Sequence, residues 1–135
     1  MSASDENKQI AKQWVVKAEE DFRTAEYTLT MPENCPYSTV CFHCQQCVEK
    51  YVKAILVWRS IEFPRIHDIG ELIDSLPEDI ALLLSEEEQE LLSDYAVVVR
   101  YPMEDEPVAK DDAETALAIA KRVREAARRI LPDIE

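Results

Sequence analysis

The sequence predicts an all-α fold, and three observations carry that expectation. Gly occurs once in 135 residues, runs of β-branched residues are scarce, and Ala, Leu, Glu, Lys and Arg abound, a composition suited to helices joined by short loops. Apolar residues recur every three or four positions through most of the chain. Prolines and cap-forming residues punctuate those periodic stretches.

The first helix is predicted from about Glu6 to Thr30, with Ile10, Trp14, Ala18, Phe22, Ala25 and Leu29 on its buried stripe and pairs such as Glu19 with Arg23 on its outer side. Met31-Pro32, Asn34 and Pro36 end it and return the chain antiparallel. The second helix, Ser38 to about Ser60, is the central one. Val40, Cys44, Cys47, Val48, Tyr51, Ala54, Ile55 and Trp58 share one face, and Cys41, Val52 and Val57 widen the apolar arc beyond an ordinary surface stripe. Its polar remainder is a narrow strip of His43, Gln46, Lys50 and Lys53, flanked by Gln45 and Glu49, that must occupy a seam between packed helices. So wide an arc also predicts a homodimer through helix faces.

Phe63-Pro64 stops the central helix. A short helix follows, with Asp68 and Glu71 at capping-box spacing, Ile69, Leu72, Ile73 and Leu76 buried, and Pro77 as its stop; His67 reads as a helix-entry residue. Pro77, Glu78 and Asp79 suit a first turn leading into residues 80–84. Ser85 and Glu88 make another capping box for a helix to about Val99, buried through Leu91, Leu92, Tyr95, Val98 and Val99. Tyr101-Pro102 ends it, and an acidic loop runs from Met103 to Lys110. The last helix, capped by Asp111 or Asp112, turns Ala116, Leu117, Ala120, Val123, Ala127 and Ile130 inward and stops at Pro132. The sum is a single domain, residues 1–135, built as an antiparallel up-and-down bundle of four to five helices.

Charge and composition narrow the function. A formal net charge of −13 argues against a DNA duplex as partner, because phosphate binding needs clustered Lys and Arg. No apolar run approaches the roughly 20 residues of a membrane span, and the polar start MSASDENKQ has no signal-peptide core, so the expectation is a cytoplasmic protein with no membrane partner. Its four cysteines are then reduced thiols. Cys41, Cys44 and Cys47 lie three apart, but a structural zinc site needs a second ligand pair on another element, which the sequence lacks; they read as small packing groups, with no metal and no cofactor expected. No phosphate-binding Gly loop, H-E-x-x-H or nucleophile-elbow motif occurs. Among the remaining polar groups, His43 beside Gln46 and Lys50 has the best claim to a site. Arg100, at a helix end, offers a planar fork for phosphate or carboxylate, or simply complements the helix dipole. Lys121, Arg124 and Arg128 form a stripe that suits either an acidic partner or solvent.

Trp14 with Ala18 and Asp21, then CFHCQQCVEKYVKAILV from Cys41 to Val57, His67-Asp68-Ile69, and Tyr95 with Arg100-Tyr101-Pro102 resemble a HEPN-domain protein over roughly Gln13 to Val123. The family pattern F-H-x-Q-Q-x-x-E-K meets Phe42, His43, Gln45, Gln46, Glu49 and Lys50. The resemblance implies a helical bundle, usually a homodimer, often encoded beside a minimal nucleotidyltransferase as a toxin–antitoxin or related pair. Many such proteins are metal-independent ribonucleases whose signature is an Arg followed four to six residues later by a His. Arg100 matches the Arg, but its window holds Asp105, Glu106 and Pro107, and no histidine follows His67. The expectation is therefore a non-catalytic partner module with no catalytic residues, which binds a nucleotide through His43, Gln46, Lys50 and Arg100; the alternative is a ribonuclease toxin with a degenerate motif.

Overall fold

The computed structural model describes residues 5–63, 65, 66, 68–80, 82, 84–95 and 108–131. The predicted His67 and Arg100-Tyr101-Pro102, together with Val98, Val99, Asp105, Glu106 and Pro107, lie outside them. Helix α1 is Asp5–Leu29, α2 is Tyr37–Trp58, α3 is Ile69–Asp74, α4 is Glu86–Asp94 and α5 is Lys110–Ile130. No strand occurs among the described residues. The fold is thus the expected all-α bundle, with three long helices and two short ones.

α1 and α2 run antiparallel along most of their length. Asn7 reaches Ser60, Trp14 lies by Lys53, Asp21 meets Lys50 and His43, and the Cys35 thiol donates to the Thr28 carbonyl. α5 packs on α2 and touches α1, while α3 and α4 pair with each other and close against α2. α2 therefore has neighbours on nearly every side, and 13 of its 22 residues are buried. Its wide apolar arc is consumed within the chain and does not itself call for a second copy. The core is narrow because α1 and α5 face α2 with small residues: Ala11, Ala18, Ala25, Ala113, Ala116, Ala120 and Ala127 are all fully buried. Cys41, Cys44 and Cys47 fill equally small positions as free buried thiols.

The helix ends follow sequence chemistry with two departures. At the end of α2, Ser60 takes a left-handed φ of 60° and the Ile61 N–H returns to the Leu56 carbonyl, a Schellman-type closure. Ser85 and Glu88 form the complete capping box expected for α4, and Asp68 accepts from the Glu71 N–H at the start of α3. The first departure is at residues 77–80, where a single turn closes from the Ile80 N–H to the Pro77 carbonyl; residues 80, 82 and 84 are not helical. Six residues of α3 and a lone turn are enough to carry Leu72 and Leu82 into the core. The second is at α5, whose N-cap is Ala109 rather than an aspartate. Asp112, at the third helical position, reaches back to accept from the Ala109 N–H, which satisfies the donor from the inside of the helix.

Candidate functional site

The α1–α2 seam gathers the polar groups that the central helix cannot bury in apolar surroundings. On α1, Asp21 lies on one flank of the Ala18, Phe22, Ala25 stripe, and the residue is 8% exposed. His43 Nδ1 lies 2.7 Å from Asp21 Oδ1, and Lys50 Nζ donates to Asp21 Oδ2 at 2.5 Å. Seven residues separate His43 from Lys50, two helical turns, so both project from one edge of α2 onto the same carboxylate. An ionised carboxylate facing Nδ1 places a hydrogen on that nitrogen, so in the neutral ring Nε2 is an acceptor. The His43 and Lys50 side chains remain 27% and 22% exposed, enough for solvent to reach them.

The rest of the predicted strip goes elsewhere. Gln46 donates to Gln45 at 2.6 Å, Gln45 donates to Glu49 at 3.0 Å, and Lys53 donates to the other Glu49 oxygen at 2.9 Å. Gln45, Glu49 and Lys53 are buried, and the Lys53 ammonium lies 5.3 Å from the Trp14 ring centre and 6.0 Å from that of Phe63. The sequence placed Lys53 on the polar strip, and Gln45 and Glu49 on its flanks, in a seam between packed helices. Burial is possible because each donor finds an acceptor along one edge of the helix, and no buried side-chain nitrogen or oxygen lacks a partner among the described residues. Of the four nominated site residues, His43 and Lys50 are thus brought together, Gln46 is turned to Gln45, and Arg100 lies outside the described residues.

Across the buried stripe, the opposite flank of α1 carries a second cluster. Glu19 accepts Arg124 Nε at 2.7 Å and Nη2 at 2.9 Å, and also the Tyr51 hydroxyl; Arg128 Nη1 approaches to 3.7 Å. The Arg124 guanidinium also lies 5.0 Å from the Phe22 ring centre. Burial pushes the Glu19 carboxyl up, but the Arg124 and Tyr51 hydrogen bonds and the two arginine charges outweigh it and hold the group below its ordinary value. Tyr51 is pushed well up by burial and by its bond to Glu19. Sequence reading put Glu19 on the outer side with Arg23, and Arg124 on a stripe suited either to an acidic partner or to solvent; in the structure the two meet and join α1 to α5. Burial raises the Cys44 thiol to about 12 and Cys47 well above its usual range, so neither is a thiolate nucleophile or a ready metal ligand at neutral pH. Among the described residues no group of three or more His, Cys, Asp or Glu side chains is placed to hold a metal ion.

A cleft of about 550 Å³ between α3 and α4 is lined by Asp68, Glu71, Asp74, Glu86, Glu90 and Asp94, among others. Carboxylates gathered in this way repel a phosphate or an RNA backbone.

The bundle, its F-H-x-Q-Q-x-x-E-K helix and the seam that this helix builds with α1 define a helical domain of the HEPN class. The chain matches the HEPN domain family over residues 11–130, and it belongs to that family. It is 31% identical to a protein of Methanocaldococcus jannaschii named "Putative toxin MJ1304", over 98% of this chain and 95% of that one. Two crystal structures share the fold: TT1696 from Thermus thermophilus, at a TM-score of 0.75, and ST0689, described as an archaeal HEPN homologue, at 0.67. Both are 27% identical to this chain; the matches cover 90% and 93% of it and 98% of each of those chains. Among the described residues no helix is long and apolar enough to cross a membrane.

Proposed function

We propose that this HEPN-domain protein is a non-catalytic dimeric module that pairs with a minimal nucleotidyltransferase and binds the phosphate of a nucleotide at the His43–Lys50 edge of the α1–α2 seam. One observation carries the ligand reading: His43 and Lys50 converge on Asp21 while each stays about a quarter exposed. Asp21 uses one of the three Lys50 N–H donors, so two ammonium donors remain for an incoming phosphate, while His43 Nε2 is left to accept from a hydroxyl of the ligand. Both side chains are held before the ligand arrives, which lowers the entropy cost of binding. Gln46 and Arg100 are nominated by the sequence alone: Gln46 is engaged by Gln45, and Arg100 lies outside the described residues. The family membership and the toxin wording in the name of the Methanocaldococcus jannaschii relative support a toxin–antitoxin setting, in which the partner is the nucleotidyltransferase.

Calorimetry with nucleoside mono-, di- and triphosphates tests the ligand. The expected result is heat of binding that Lys50→Ala abolishes and His43→Ala weakens; no heat, or heat indifferent to Lys50→Ala, removes the nucleotide from the reading. Co-expression with a nucleotidyltransferase encoded beside the gene tests the pairing, which fails if the two chains elute separately at micromolar concentration.

A further inference from the structure

His43 Nε2 stands apart from the other polar atoms of the seam. Nδ1 of the same ring meets Asp21, Phe42 packs against the ring nearly at right angles, and no described residue reaches Nε2. Since no buried side-chain nitrogen or oxygen lacks a partner among the described residues, this nitrogen faces solvent. A histidine whose Nδ1 hydrogen is held by a carboxylate keeps the Nε2 lone pair outward, and that lone pair is a nucleophile. Lys50 occupies the other oxygen of the same carboxylate, so an ammonium with two spare N–H donors stands beside the nucleophile. One turn before Asp21 on α1, Lys17 is exposed and makes no ion pair among the described residues, which adds positive potential to this edge of an acidic chain. Other nucleophiles of α2 do not compete: Cys41, Cys44 and Cys47 are buried, and the Tyr51 hydroxyl is given to Glu19.

We propose that His43 is a phosphoryl acceptor: Nε2 takes the terminal phosphoryl group of a nucleoside triphosphate bound at this edge, giving one phosphohistidine per chain. This rests on the nucleotide reading above and adds what the site does with its ligand. The Nε2 lone pair attacks the γ-phosphorus of the magnesium–triphosphate complex. A nitrogen–phosphorus bond forms, the bond from that phosphorus to the β,γ-bridging oxygen breaks, and its electron pair leaves on the nucleoside diphosphate. No proton has to move, because Nε2 of the neutral ring carries none. The ring becomes a phosphorylated imidazolium that keeps its Nδ1 hydrogen, and the Asp21 carboxylate facing that hydrogen offsets the new positive charge. The Lys50 ammonium offsets the negative charge on the oxygens of the group in transfer. Asp21 is thus a positioning residue that fixes the tautomer, and it never touches the phosphorus. The chain is modified once and does not turn over, in keeping with a module that is not an enzyme.

The test is incubation of the full chain with magnesium and nucleoside triphosphates labelled at the γ-phosphorus. The intact mass is expected to rise by one phosphoryl group, in a label stable to alkali and lost in acid, and peptide fragmentation is expected to place it on His43. His43→Gln is expected to remove the label, and Lys50→Ala to slow its appearance on the order of a hundredfold. Asp21→Asn is expected to slow it as well, with nitrogen-15 spectra showing the Nδ1–H tautomer of His43 in the wild type and a mixture of tautomers in the variant. An unchanged tautomer would strike out the role of Asp21. Circular dichroism shows whether each variant is folded, and the placement of the label in the wild type depends on no variant. Calorimetry with the β,γ-imido triphosphate analogue, which keeps the phosphates but does not transfer one, separates two failures. Heat without label overturns the transfer and leaves the nucleotide site standing; neither heat nor label overturns both. A label that survives acid, or that maps to any residue other than His43, overturns His43 as the acceptor.

Discussion

Glu19 shows how a single side chain can be legible in type and illegible in direction. Its neighbours in sequence offered Arg23 one turn away, an ordinary surface pair. Its partner in the structure is Arg124, 105 residues distant, with Tyr51 adding a third donor. No local spacing contains that information, because it depends on which flank of α1 meets α5. Asp21, on the other flank, was readable only as part of a family pattern, although it is the group that gathers His43 and Lys50. The Glu19 cluster makes a pH-dependent prediction. Its folded-state pKa is depressed, so its contribution to stability is complete above the ordinary value of 4.5 and fades as pH falls through the lower folded value. Arg124→Ala is expected to cost about 1 to 2 kcal/mol at pH 7, moderated by the partial exposure of the pair. At pH 3, below the ordinary value, the cost should be smaller, because the unfolded chain then holds a proton that Glu19 must release to form the ion pair, which offsets part of its contribution. Urea unfolding of both proteins at the two pH values checks this, and a difference independent of pH would detach Glu19 from acid stability.

At the scale of the element, the central helix was legible because its pattern is extreme: an arc so apolar has to be surrounded. What escaped was the fate of its polar edge. Gln45, Glu49 and Lys53 read in sequence as part of one polar seam with His43 and Lys50, yet they hydrogen-bond along their own helix and enter the interior together. Helix starts were readable where side-chain acceptors stand at fixed offsets, as at Ser85 and Asp68, and misread at α5, where two adjacent aspartates invited assignment to the cap. The stop of α3 at Pro77 was likewise visible, but whether the next turn would propagate was not, since tertiary contacts decide the fate of so short a segment. Ser85 gives the prediction here. The Ser85 hydroxyl accepts from the Glu88 N–H and Glu88 accepts from the Ser85 N–H, while Glu88 also receives Arg122 of α5 at 2.5 Å. Ser85→Ala is expected to destabilise the protein by about 1 kcal/mol, and Ser85→Asp to be near neutral, because an aspartate caps equally well. Chemical denaturation distinguishes them; equal losses from Ala and Asp would mean that the hydroxyl contributes through something other than the cap.

For the whole molecule, charge and site have to be weighed together against the ribonuclease habit of the family. A chain of net charge −13, with a carboxylate-lined α3–α4 cleft, presents little that attracts a polyanion, and its seam offers one lysine and one histidine already engaged by Asp21. Cleaving a phosphodiester needs more than attraction. Arg100 is able to stabilise charge on the phosphate, but the departing oxygen also needs a proton, and the four-to-six-residue window after Arg100 holds no histidine to deliver it. Asp105 and Glu106 are poor substitutes: a carboxylate of ordinary pKa is almost wholly ionised near pH 7 and so has no proton to give. Loss of a general acid or base typically costs a hundredfold to ten-thousandfold in rate, on the order of the whole advantage such a site gives. The isolated protein is therefore expected to leave labelled single-stranded RNA intact at neutral pH with EDTA present. Cleavage abolished by Arg100→Ala would overturn this. If that cleavage also fell with His43→Ala or Asp21→Asn, the proton carrier would be the histidine that Asp21 holds in the α1–α2 seam, and the nucleotide site would have to be reread as a catalytic one.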